Sequence, residues 1–162
     1  MVDDELYRLA AEVGEALKAR GLMLVTAESC TGGWVGEAVT AVPGSSHWYE
    51  RGFITYTNQS KQEMLGVSEQ TLTRHGAVSE AAVREMVKGA LERSHAQVAL
   101  AISGIAGPGG GTPDKPVGMV CLAWGTKGGA VVAETRRLSG DRREIRRQAV
   151  EAALRGVLAR LR

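Results

Sequence analysis

Val98 to Ile102 is an unbroken apolar run, Val-Ala-Leu-Ala-Ile, that opens directly onto Ser103-Gly104-Ile105-Ala106-Gly107-Pro108-Gly109-Gly110-Gly111-Thr112. A run this short, ended by glycine, reads as a strand, and a strand with no polar face must be covered on both sides. The fold therefore needs helices above and below a sheet. The rest of the chain offers them. Asp3 or Asp4 caps a first helix whose apolar face is Leu6, Leu9, Val13 and Leu17, and Gly21 stops it. Leu22 to Val25 reads as a buried strand, and Trp34, Val35, Ala38, Val39 and Val42 resume helical spacing until Pro43-Gly44-Ser45-Ser46.

Phe53 to Tyr56 reads as a second strand, followed by a short helix over Lys61 to Leu65 that Gly66 ends. Ser79 is an N-cap for a helix carrying Ala82, Val83, Met86, Val87 and Leu91. Val117 to Trp124 and Ala130 to Leu138 are strands joined around Lys127-Gly128-Gly129, a hairpin signal. Asp141 caps a last helix with Ile145, Ala149, Ala152, Ala153, Val157, Leu158 and Leu161 inward. Alternating strands and helices with one antiparallel hairpin predict an α/β fold: a three-layer sandwich with a mixed β-sheet and helices on both faces. No repeat or linker interrupts the pattern, so residues 1–162 are expected to form a single domain.

Bulk properties narrow the function. Hydrophobic content of 44% with 23% charged residues is ordinary for a globular protein, and a net charge of +2 does not by itself make a polyanion-binding surface. No apolar run approaches the roughly 20 residues of a membrane span, so no membrane association is expected. Cys30 and Cys121 lie far apart and fit neither a disulfide framework nor a metal spacing. The cytoplasm is the expected compartment, with no metal and no cofactor. The 21 glycines are many for this length, and such a surplus gathers in turns and ligand-facing loops.

The first such loop is Thr26-Ala27-Glu28-Ser29-Cys30-Thr31-Gly32-Gly33. A strand that ends in small residues and enters a helix at Gly-Gly is a standard anion-receiving geometry, with free N–H groups at the helix start. Ser29 there would present a hydroxyl beside those donors, so nucleophile and oxyanion hole would come from one stretch. In the plainer alternative, Ser29 or Thr31 simply caps the helix. A serine nucleophile needs a base. His75 and His95 read as solvated helix-end residues, while His47 follows Gly44-Ser45-Ser46. Lys61, beside Tyr56 and Asn58, is the other option, because desolvation lowers a lysine pKa. Its plainer reading is a surface lysine.

The glycine-rich loop after Ile102 could share a pocket with the Ser29 loop, since ligands in open α/β sheets settle outside the carboxyl ends of strands. Arg142, after Gly140-Asp141 at a helix start, is placed for a phosphate or carboxylate. Arg146, Arg147, Arg155, Arg160 and Arg162 read as the solvated face of that helix. They lack the interleaved aromatics that nucleic-acid binding favours, so no nucleic-acid partner is expected.

Five stretches in order resemble the CinA C-terminal domain family, the nicotinamide mononucleotide deamidases. They are Thr26 to Gly33; Ile54-Thr55-Tyr56-Thr57-Asn58-Gln59-Ser60-Lys61; Gly76-Ala77-Val78-Ser79-Glu80; Ser103 to Thr112 with Lys115-Pro116-Val117-Gly118; and Gly140-Asp141-Arg142. The resemblance spans nearly the whole chain, and it matches longer CinA proteins only at their C-terminal end. It implies hydrolysis of the carboxamide of nicotinamide mononucleotide to nicotinate mononucleotide and ammonia, within pyridine nucleotide recycling. It further implies a metal-free serine–lysine mechanism in which Ser29 matches the nucleophile, Lys61 the base and Tyr56 a supporting hydroxyl. Cys30, Thr31, Gly32, Gly33, Ser103, Gly104, Gly107, Gly110 and Arg142 match positions that hold the nucleotide.

Two rivals stand beside this reading. One is a catalytically silent nucleotide-binding or regulatory module that uses the same loops. The other makes Cys30 the nucleophile, cysteine being intrinsically stronger. A homo-oligomer, a dimer in the first place, is expected because Trp34, Trp48 and Trp124 exceed what an aromatic-poor core needs.

Overall fold

The computed structural model describes residues 3–162. In chain order the elements are α1 (Asp4–Ala19), β1 (Leu24–Glu28), α2 (Trp34–Thr40), β2 (Tyr49–Ile54), α3 (Asn58–Leu65), α4 (Glu69–His75), α5 (Glu80–Glu92), β3 (Val98–Gly104), β4 (Met119–Thr126), β5 (Val131–Arg137) and α6 (Arg142–Leu161). The strands form one sheet in the order β2-β1-β3-β4-β5. β1 runs parallel to β2 and β3, while β4 and β5 are antiparallel neighbours. Helices cover both faces, as the two-sided apolar run requires.

Period-two alternation within β3 divides the core. Val98, Leu100 and Ile102 join α1, α2 and α6 on one face. Ala99 and Ala101 lie on the other, under Val83, Met86 and Val87 of α5. α5 also packs closely on α3: a Cβ on Gly89 would stand 1.8 Å from the Leu65 carbonyl oxygen. Asp3, Ser79 and Asp141 cap α1, α5 and α6, and the Asp141 cap is reinforced by a capping box with Glu144. None of these helices is long and apolar enough to cross a membrane.

Several boundaries differ from the sequence expectation. β1 begins at Leu24 and continues to Glu28, through residues expected to be loop. Its polar side chains find buried partners, which apolar patterning does not reveal: Thr26 Oγ1 hydrogen-bonds Tyr49 Oη at 2.8 Å. β2 is Tyr49–Ile54, earlier than Phe53 to Tyr56. It is an edge strand with exposed residues, so it lacks an apolar run to read. α4 is not expected from sequence, because its one buried residue, Leu72, leaves no periodic face.

The three tryptophans do not require an oligomer. Trp124 is fully buried with Nε1 donating to the Ala153 carbonyl at 2.9 Å. Trp48 packs where a Cβ on Gly14 would meet its ring at 2.4 Å. Trp34 lies against the guanidinium groups of Arg143 and Arg146, 4.9 and 5.5 Å from the ring centre. All three find their partners within the chain.

Candidate active site

β1 and β3 are adjacent and parallel, and their carboxyl ends release the two glycine-rich loops side by side. From β1 the chain leaves through α2 to β2; from β2 it returns through α3, α4 and α5 to β3 on the far side of β1. Such a reversal opens a crevice between the strand ends. The crevice holds a cavity of about 300 Å³, lined among others by Ser29, Tyr56, Lys61, Ser103, Gly107 and Arg142. That is the lower end of the range for small-ligand sites.

Ser29 follows the last residue of β1 directly, and its N–H donates to the Ile102 carbonyl at 3.0 Å. This backbone donor is spent on the sheet and is not free for an oxyanion. Lys61 comes from α3, whose start is fixed by a capping box between Thr57 and Ser60. Its Nζ donates to Ser29 Oγ at 2.9 Å and to the Thr55 carbonyl at 2.6 Å. Lys61 is 1% exposed and Ser29 8%. Burial pulls the Lys61 pKa down to about 8, because an ammonium is costly to desolvate. A hydroxyl thus meets an amine that is neutral in a useful fraction of molecules near neutral pH. This arrangement supports proton abstraction from Ser29.

Cys30 also lines this cavity, but its thiol is a weak candidate for the nucleophile. Burial pushes its pKa up to about 11, so it stays protonated at neutral pH. Its Sγ packs against the end of β3, where a Cβ on Gly104 would stand 3.1 Å away. Gly104 is therefore required for close packing. Gly107 and Gly110, with φ of +78° and +86°, give the loop the left-handed turns that carry it around the cavity.

At the outer rim, Arg142 donates through Nη1 to the Gly107 carbonyl at 2.7 Å and through Nη2 to Tyr56 Oη at 2.9 Å. The Tyr56 hydroxyl therefore hydrogen-bonds Arg142, and Tyr56 is 58% exposed. His47, His75 and His95 are exposed and do not line the cavity.

Thr31, Gly32 and Gly33 lie elsewhere. They border a second cavity, of about 580 Å³, on the other side of the Ser29 turn with Trp34, Arg143 and Arg146. Nor is the start of α2 an open anion site. The N–H groups of Val35 and Gly36 donate to the buried carboxylate of Glu28 at 3.0 and 3.1 Å, and Thr31 Oγ1 donates to it at 2.6 Å. Neither Ser29 nor Thr31 caps the helix. Gly33 occupies the N-cap with φ +102°, and the capping oxygens come from the end of β1.

Two residues with clear roles here escaped the sequence expectation. Glu28 is one; its only signal was a carboxylate at the end of an otherwise buried strand, which must find partners. Arg146 is the other. Expected on a solvated face, it donates through Nε to the Cys30 carbonyl at 2.9 Å and through Nη2 to the Thr31 carbonyl at 3.2 Å. Arg147, on the same helix, makes surface ion pairs with Asp3, Glu5 and Glu151. Among the described residues, no three His, Cys, Asp or Glu side chains converge as a metal site would need.

The CinA C-terminal domain family matches residues 6–161 of this chain. The nicotinamide-nucleotide amidohydrolase PncC of Escherichia coli strain K12 is 54% identical over 154 residues, covering 95% of this chain and 93% of that protein. Its counterpart in Pseudomonas putida is 51% identical, covering 96% of each. A CinA-like protein of Chlorobaculum tepidum is 50% identical over 149 residues, 90% of this chain but 35% of that longer protein. Among solved structures, the competence/damage inducible protein CihA from Agrobacterium tumefaciens superposes with a TM-score of 0.95 at 45% identity, covering 98% of this chain and 97% of that one.

Proposed function

Because this chain belongs to the CinA C-terminal domain family, we propose that it is a nicotinamide-nucleotide amidohydrolase, converting nicotinamide mononucleotide to nicotinate mononucleotide and ammonia by a serine–lysine mechanism. Residues 1–162 act in this reading as one amidohydrolase domain. The observation that carries the mechanism is the buried Lys61 Nζ to Ser29 Oγ contact of 2.9 Å.

The chemistry follows from the side chains. Neutral Lys61 takes the Ser29 proton as Oγ attacks the carboxamide carbon, and the carbonyl electrons move onto oxygen. The resulting lysine ammonium gives its proton to the amide nitrogen, the C–N bond breaks, and ammonia leaves an acyl ester on Ser29. Water, deprotonated by the same lysine, then attacks the ester; the C–O bond to Ser29 breaks, Oγ takes the proton back from Lys61, and the carboxylate product leaves. The cationic pyridinium ring of the substrate would favour neutral Lys61 by like-charge repulsion. Arg142 and the Gly107–Gly110 loop hold the nucleotide at the rim, the guanidinium facing phosphate. Cys30, Ser103 and Gly104 shape the wall beside the reacting group, while Thr31, Gly32 and Gly33 act through the shape of the turn.

The reaction belongs in the cytoplasm in this reading, which suits two free, buried cysteines. A homo-oligomer would have to rest on exposed apolar side chains such as Ile54 and Met64, since the tryptophans that raised the expectation are taken within the chain. Ammonia release from nicotinamide mononucleotide by the purified protein tests the activity; a protein that binds the nucleotide yet releases none would be the catalytically silent module.

A further inference from the structure

Glu28 is 2% exposed and does not line the Ser29 cavity. Three donors meet its carboxylate. Oε1 accepts from Thr31 Oγ1 and the Val35 N–H, and Oε2 accepts from the Gly36 N–H. In sequence, Glu28 immediately precedes Ser29, Thr31 lies on the turn that follows, and Val35 and Gly36 form the first turn of α2. The carboxylate therefore closes a ring around the segment that carries the nucleophile.

An ordinary helix cap would not need this arrangement. A serine or aspartate at position 33 could cap α2 locally, but Gly33 has φ +102°, and a Cβ there would come within 3.0 Å of the Ile54 side chain. Capping from the end of β1 satisfies the helix and also ties the turn to the sheet. From the opposite side, Arg146 holds the Cys30 and Thr31 carbonyls. Both polar edges of the turn are fixed before any substrate arrives, which is the preorganisation that attack by a hydroxyl requires.

We propose that Glu28 is a positioning residue for Ser29: its carboxylate binds the end of β1 to Thr31 and to the start of α2, and so keeps Ser29 Oγ within reach of Lys61 Nζ. The proposal rests on the serine–lysine reading above. A carboxamide cannot replace the group. In a Glu28→Gln protein whose amide oxygen kept Thr31 and Val35, the amide NH₂ would face the Gly36 N–H, donor against donor.

The test combines Glu28→Gln, Glu28→Asp, Thr31→Val and the Glu28→Gln/Thr31→Val double variant, read by steady-state kinetics, circular dichroism and crystal structures. Glu28→Gln should lower kcat by about tenfold or more while KM stays within about twofold, because the nucleotide contacts lie elsewhere. Glu28→Asp should not rescue it, being one methylene too short to span all three donors. Thr31→Val should lower kcat by about threefold, and the double variant should fall no further than Glu28→Gln alone, since both changes open the same ring. In the Glu28→Gln crystal the Ser29 Oγ to Lys61 Nζ separation should exceed about 3.5 Å, beyond hydrogen-bond range. The proposal is overturned if the folded Glu28→Gln protein keeps that contact or keeps its kcat. Should Glu28→Gln fail to fold, Thr31→Val decides: unchanged kcat in a folded protein overturns the proposal. If the wild-type protein releases no ammonia from nicotinamide mononucleotide, the proposed substrate is wrong, and the variant crystal structures still judge the role of Glu28.

Discussion

The inner and outer ends of the Ser29 cavity each hold a hydrogen bond of 2.9 Å, Lys61 to Ser29 within and Arg142 to Tyr56 at the rim. Their surroundings are opposite. The inner pair stands on a strand end and a capped helix, nearly without solvent; the outer pair includes a tyrosine that is 58% exposed. Burial changes what a cation can do. Desolvation pulls Lys61 toward neutrality and makes it a proton acceptor, whereas a guanidinium at an open rim remains charged and can only attract. Equal distances therefore describe different chemistry: the dry end suits bond making, and the wet end suits holding an anionic group that arrives and leaves.

The largest effects are expected at the dry end. Ser29→Ala should abolish ammonia release, a loss of about a thousandfold or more, in a protein that stays folded and binds the nucleotide. Substantial release by the folded variant would remove Ser29 from the chemistry. Lys61→Ala should lower kcat nearly as far. Lys61→Arg should not restore it, because a guanidinium does not give up its proton; near-normal turnover by that variant would mean that Lys61 supplies charge and no proton transfer.

The same lysine predicts a pH profile. With a folded-state pKa of about 8, kcat/KM should rise with pH and level off above that value, since the neutral amine is the active form. A flat profile between about pH 6 and 9 would contradict the assignment. Stability should follow the same direction. Below about pH 8 both folded and unfolded chains carry the ammonium, and its burial weakens the fold in full. Between about 8 and the ordinary lysine value of 10.5 the unfolded chain binds more protons, so stability rises with pH across that window. Relative to Lys61→Met, the wild-type protein should gain up to about 3 kcal/mol there, as 1.36 kcal/mol per pKa unit gives. Chemical denaturation of both proteins at pH 7.5 and 10.5 measures it.

The two ends also differed in how far sequence alone revealed them. Val98 to Ile102 announced a strand covered on both faces, and the layers follow from it. Ser29 and Lys61 stood out through strand-to-helix punctuation and a resemblance that joins distant motifs. Periodicity could not show that they touch, because a sequence separation of 32 closes only through β2 and its neighbours. Glu28 and Arg146 stayed hidden for a related reason. A charged residue on an exposed face and one that clamps a loop look alike until the opposing carbonyls or N–H groups are in place. At Thr31, Gly32 and Gly33 the glycine pattern marked the turn, but it could not show that Glu28 takes the Val35 and Gly36 donors of α2.

At the wet end the effects should be smaller and fall on binding. Arg142→Ala removes a charged contact worth about 1.5–3 kcal/mol, which should appear as roughly a tenfold to hundredfold higher KM with kcat changed little. A fall in kcat with KM unchanged would place Arg142 in the transition state and blur the division between the ends.

Tyr56→Phe is the finest test of that division and should have the smallest effect. The phenol oxygen accepts from Arg142 Nη2 and makes no hydrogen bond to Ser29 or Lys61. Removing it frees one edge of a guanidinium that still donates to the Gly107 carbonyl, so Arg142 keeps its place but loses some orientation. At an exposed site such a bond contributes on the order of 0.5–1 kcal/mol. KM should rise by about twofold to fivefold, kcat should hold, and the pH midpoint set by Lys61 should not move. In the Arg142→Ala background the same change should add almost nothing, since the partner is already gone. The family resemblance assigns Tyr56 a supporting hydroxyl, and the alternative outcome is equally definite. If Tyr56→Phe lowers kcat by more than about tenfold, or displaces the pH midpoint, the phenol must swing inward during turnover and join the proton transfer. The rim would then belong to the chemistry, and Arg142 would serve to park the tyrosine until the substrate phosphate takes its guanidinium.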